Sequence, residues 1–146
     1  MCFVLYAGTA RPLQQREWQI DATDLAVASL TERDAPIRMH FSHPEIQYIG
    51  STSGCGCDFP HVTLQNGQWP IYEEIQKDVK RIASDRYNRQ ALVDLLQRTG
   101  EKTIELYGIW DGDFAEQPKS REALLLETIL DPDFYFKEQG FYTIEN

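Results

Sequence analysis

The residues of this chain whose types and spacing bear on chemistry are concentrated in one segment, Ser51-Thr52-Ser53-Gly54-Cys55-Gly56-Cys57-Asp58-Phe59-Pro60-His61. In an extended chain, residues two apart point to the same face, so Cys55 and Cys57 present their sulfurs side by side with only Gly56 between them. Two thiolates so placed can share a soft metal ion. A tetrahedral zinc site takes four nitrogen or sulfur donors, and the chain supplies Cys55, Cys57, His61 and one of His40, His43 or Cys2. The donor set admits zinc or another soft metal without fixing the cofactor, which the sequence leaves unknown. His61 keeps the parity of the cysteines if the strand runs on, although Pro60 permits that only at a sheet edge. The spacing differs from common structural zinc sites, which use gaps of two or more residues and a second paired knuckle.

The same pair also fits thiol redox chemistry. Fully extended, the two Cα atoms lie roughly 6.6–6.8 Å apart, the edge of what a disulfide tolerates. Gly56 lets the chain fold inward, and a strained bridge is easily reduced, which suits exchange. Attack by sulfur needs a thiolate, yet no Lys or Arg lies between Met39 and Gln76, and Asp58 is adjacent. A neighbouring carboxylate raises a thiol pKa, so only His61 or a residue from elsewhere in the fold is left to activate one. A third account needs no chemistry: free cysteines pack as small hydrophobes, and glycines permit another backbone to cross closely.

Other signals fall short of a complete catalytic set. Cys2 follows Met1, and with the initiator removed it would be a terminal nucleophile whose own amine acts as base. Over these two residues the start resembles that of the glutamine amidotransferases of the N-terminal-nucleophile class, which implies a nucleophilic role for Cys2; a buried strand thiol is the plainer use. Gly50-Ser51-Thr52-Ser53-Gly54 has the outline of a nucleophile elbow, but Thr52 stands at the nucleophile position. No Gly-Lys-Ser or Gly-Lys-Thr follows any glycine cluster. His61, not an arginine, stands six positions after Cys55, so a phosphatase-type loop lacks its guanidinium fork. A calcium loop begun at Asp111 and Asp113 fails at Ala115 and at Glu116, where glycine is required. Whether the chain is an enzyme is thus left open. The alternative is a non-catalytic interaction or assembly module that uses a sheet edge or an aromatic patch toward a protein partner or a second copy of itself.

The elements that must position these residues read as one α+β domain spanning 1–146. Cys2 to Ala7 is a nearly continuous apolar run, expected as a strand buried on both faces. Short strands are expected at Glu17–Ile20, within Asp24–Leu30, where a helix capped by Thr23 or Asp24 is the alternative, at Ile37–Phe41 and at Gln47–Gly50. In the third of these His40 faces away from the main core. Asn66-Gly67 signals a hairpin turn. Apolar residues at helical spacing place one or two helices over about 73–99, ending at Gly100 and packed on one face of a mixed or mainly antiparallel sheet. Thr103–Trp110 reads as the strongest strand, closed by Asp111-Gly112. Leu124–Leu130 reads as strand or helix, and Phe134–Phe136 with Phe141–Ile144 as a hairpin.

Composition limits the partners. With 146 residues and 42% hydrophobic side chains, the chain can bury a core without disulfides or metal. Its net charge of −9, from 14 basic and 23 acidic residues, repels phosphate backbones, so nucleic acid is not an expected partner. No apolar run approaches the roughly 18–20 residues that span a bilayer, and no basic region precedes the first apolar stretch. No membrane and a cytoplasmic location are expected. Three cysteines are too few and oddly numbered for a disulfide framework, so any chemistry they carry is expected to be that of thiols.

Overall fold

A computed structural model describes residues 2–20, 24–63 and 79–146. Eight strands and one long helix are described, joined by short 3-10 turns: β1 (Phe3–Thr9), β2 (Ala26–Ser29), β3 (Glu45–Gly50), β4 (His61–Val62), α1 (Val79–Gln97), β5 (Thr103–Trp110), β6 (Ser120–Leu125), β7 (Phe136–Lys137) and β8 (Gly140–Glu145). Six of them form one sheet in the order β2-β3-β1-β5-β8-β6. Every neighbouring pair is antiparallel except β6 with β8, which is parallel. The fold is α+β with a mainly antiparallel sheet, as the residue pattern predicts.

β1 occupies the sheet interior, and each of its residues Phe3 to Thr9 is buried. Its alternating side chains feed two cores. Phe3, Leu5 and Ala7 join Ile49, Ile104, Leu106, Tyr142 and Ile144 under Leu92, Val93 and Leu96 of α1. Val4 and Tyr6 face the other way, into a smaller cluster with Ile37, Ile46, Tyr107, Ile109, Phe114 and Phe141. This explains why the opening run lacks polar alternation: neither face meets water. A second, two-stranded sheet pairs β4 with β7 in parallel, His61 opposite Phe136.

Several expectations are corrected by the structure. Ile37–Phe41 is not a strand: Ala35–His40 is a 3-10 turn with proline at its start. Pro36 fixes φ for a helical first turn, and the period of three leaves Ile37 fully buried and Met39 64% exposed, whereas a strand would place both on one face. Glu17–Ile20 forms no strand, the nearest pairing being an isolated bridge between Arg16 and Val27. Phe134–Phe136 and Phe141–Ile144 do not make a hairpin, because β7 pairs with β4 while β8 inserts between β5 and β6. The 124–130 ambiguity resolves as β6 ending at Leu125, followed by a 3-10 turn Leu126–Leu130. Asn66-Gly67 and the first residues of the 73–99 helical span lie outside the described residues. No described helix is long and apolar enough to cross a membrane.

Candidate thiol centre

The site is assembled where the loop after β3 folds back onto the start of β1. Gly54 adopts φ +94, a left-handed conformation open to glycine, and the Trp18 ring lies where a Cβ would stand. The loop is then fastened from three sides. Trp18 Nε1 donates to the Thr52 carbonyl at 3.0 Å, Tyr48 Oη donates to the Gly54 carbonyl at 3.1 Å, and Asn88 Oδ1 of α1 accepts from the Thr52 amide at 3.1 Å. Ser51 is fully buried, its amide donating to the Cys55 carbonyl at 2.7 Å.

Gly56–Asp58 is a single 3-10 turn, and its first residue is pressed against β1. A Cβ on Gly56 would lie 2.5 Å from the Phe3 carbonyl oxygen and 3.1 Å from Val4 Cα, both backbone atoms. Only glycine permits that approach. The approach carries the flanking cysteines to the N-terminal end of β1, beside Cys2, whose carbonyl is held by the Asp111 amide at 2.7 Å.

The sulfurs of Cys2, Cys55 and Cys57 consequently lie within 4.8 Å of one another. Cys2 is exposed, and Cys55 and Cys57 are partly buried. The Cys57 amide donates to Cys55 Sγ at 3.4 Å, and the Ser53 hydroxyl lies 3.8 Å from the same sulfur. Burial, then hydrogen bonding from Cys57 to Cys55, pushes the Cys57 thiol up to about 11, while the Phe3 backbone at the sulfur pulls the other way. At neutral pH Cys57 therefore carries its proton. That disfavours a standing nucleophile, whereas a metal ion compensates the charge directly and displaces the proton.

Of the residues named from sequence, the structure gathers the sulfurs of Cys55, Cys57 and Cys2. His61 does not join that group. Its ring stacks on Phe3 at 4.5 Å and 2°, Trp110 meets it edge-on at 5.6 Å, and Nδ1 lies 2.7 Å from the Phe59 carbonyl. His40 is buried at the end of the 3-10 turn, Nε2 2.9 Å from the Phe114 carbonyl and the ring edge-on to Tyr107 at 5.1 Å. It belongs to the smaller core, across the sheet from α1. His43 sits in the turn before β3, its amide donating to the Glu105 carboxylate at 2.8 Å. Cys2 could be singled out from sequence only as one of several donors, because nothing local to it shows that β1 starts beside the 55–57 loop.

Searches against protein-family models, characterised proteins and solved structures find no match to this chain.

Proposed function

We propose that this protein is a soft-metal-binding protein whose centre is the thiolate trio Cys2, Cys55 and Cys57, with zinc as the ion it takes. The observation that supports this is the mutual approach of the sulfurs to within 4.8 Å. An ion with metal–sulfur bonds of about 2.3 Å and tetrahedral angles holds its sulfurs roughly 3.8 Å apart, so side-chain rotation closes the site. Charge favours a divalent over a monovalent ion. Three thiolates around Zn(II) leave one negative charge and around Cu(I) two, in a loop that has no Lys or Arg between Met39 and Gln76. With three protein donors among the described residues, a tetrahedral ion keeps one position for a ligand from outside the trio.

The test is titration of the reduced, metal-free protein with Zn(II), and with Co(II) as a spectroscopic stand-in. One equivalent is expected to bind, with the thiolate-to-cobalt absorption of a tetrahedral sulfur site. Cys2→Ser, Cys55→Ser and Cys57→Ser should each weaken binding by about tenfold or more, since each removes one bond to the ion. No stoichiometric uptake by the reduced chain, or unchanged affinity in Cys2→Ser, overturns the proposal. A Cys55–Cys57 bridge in freshly isolated protein, two mass units light and without metal uptake after reduction, would identify a redox pair instead.

A further inference from the structure

A groove with a volume of about 600 Å³ runs between the second half of α1 and the segment that follows β1. That is the size range of small-molecule sites, and none of the cysteines lines it. Its floor is apolar: Leu13, Leu25 and Val27 are buried and Leu95 partly so.

The walls are fixed. The Gln47 side chain takes the Leu13 amide at 2.7 Å on its oxygen and donates to the Leu13 carbonyl at 2.9 Å from its nitrogen, clamping the backbone opposite α1. The Glu101 carboxylate accepts from the Ala10 amide at 2.6 Å and more weakly from Arg11 at 3.4 Å. A groove clamped at two points is preorganised, and little ordering entropy is lost when it fills.

The rim carries Arg11, Arg16 and Arg98 against Asp24, Asp94 and Glu101, formally balanced on a chain of net charge −9. The two signs differ in how they are engaged. Arg16 is paired with Asp24 at 2.7 Å, Asp94 accepts from the Gln90 amide at 2.9 Å, and Glu101 is taken up by the backbone. Among the described residues the Arg11 and Arg98 side chains have no hydrogen-bond or ion-pair partner. The carboxylates are satisfied and two guanidinium groups are not, above an apolar floor.

From this we infer that the groove binds a small monocarboxylate with an apolar body, the head on Arg11 and Arg98 and the tail over Leu13, Leu25 and Leu95. The carboxylate answers the two guanidinium groups that lack a partner among the described residues; on a rim whose other charges are engaged, a dianion would turn its second charge toward Asp94 and Glu101.

Octanoate, below its micelle-forming concentration, is the probe, with octanamide as its uncharged counterpart and the full chain as the protein. Calorimetry is expected to show saturable binding of one octanoate, with octanamide roughly tenfold weaker, the scale of one partly exposed charge-assisted hydrogen bond. In the double variant Arg11→Gln, Arg98→Gln octanoate should fall to the octanamide level while octanamide is unchanged. Both arginines are exposed, so the fold is expected to survive, and an unchanged cooperative thermal unfolding transition in the variant checks that independently of any metal. Absence of saturable octanoate binding, equal affinity for octanoate and octanamide, or undiminished octanoate binding by the variant each overturns the inference.

Discussion

Cys57, a partly buried thiol, would couple the proposed metal binding to pH. The surrounding residues hold it protonated up to about 11, against an ordinary 9.0. Binding zinc must release that proton, so the apparent affinity falls as pH drops, by about tenfold per unit for each proton displaced. A competition titration against a chelator of known pH dependence measures this. The metal-free protein shows the converse. Its folded pKa lies above the unfolded one, so the contribution to stability is complete below pH 9 and is lost as pH rises toward 11, because the unfolded thiol ionises first. Urea unfolding at about pH 8 and about pH 10.5 should show wild type losing more stability between the two than Cys57→Ser. Equal losses would mean that Cys57 is not desolvated by the fold.

At the level of elements, the centre depends on how closely the Gly56–Asp58 turn lies on β1. A Cβ at Gly56 would stand 2.5 Å from the Phe3 carbonyl, at a point where β1 is paired with Trp110 and Ile109 of β5 and is joined by β3 from Leu5 onward. The turn, which belongs to no sheet, is the part that gives. Gly56→Ala is expected to cost about 1–3 kcal/mol, the usual scale of overpacking. It should also separate Cys55 and Cys57 from Cys2, lowering zinc affinity by about tenfold or more. Thermal unfolding and zinc titration of the one variant check both effects. Wild-type affinity in Gly56→Ala would show that the close approach does not assemble the trio. The other fastenings of the loop, Trp18, Tyr48 and Asn88, come from the segment before β2, from β3 and from α1.

At the scale of the whole molecule, the three cysteines belong to two segments far apart in the chain, Cys2 just before β1 and Cys55 with Cys57 in the loop after β3, and an ion bound as proposed would tie the first strand of the sheet to that loop. A ligand that binds the folded chain and not the unfolded one stabilises it by RT ln(1 + [L]/Kd), about 2.7 kcal/mol at roughly a hundredfold excess over Kd. Zinc should therefore raise the thermal midpoint by several degrees. The variant with all three cysteines replaced by serine should show no such shift in differential scanning calorimetry. An equal shift in that variant would place zinc elsewhere on the molecule.

Much of the frame was legible from local pattern. The unbroken apolar run of β1, the clean strand at Thr103–Trp110 and the helical spacing before Gly100 each report how much water an element meets, and the structure keeps all three. Local pattern misleads where a short segment satisfies two periods. Ile37, Met39 and Phe41 alternate like a strand, yet Pro36 and burial of Ile37 against the second core make the segment a 3-10 turn and carry His40 inside with it. The aromatic pairs near the C-terminus gave no hint that β7 would pair with His61–Val62 instead of with β8.

The candidate site divides in the same way. The sequence by itself determined that Cys55 and Cys57 stand one glycine apart and that no cation lies near them along the chain. Only the tertiary structure decided that the Cys2 sulfur lies beside those of Cys55 and Cys57 and that His61 stacks on Phe3, edge-on to Trp110, instead of joining the thiols. The reason is physical. Spacing along a chain governs where neighbours two to four residues away point, but the proximity of Cys2 to Cys55 arises from strand order and from one backbone lying on another at Gly56, and neither is a property of any local segment.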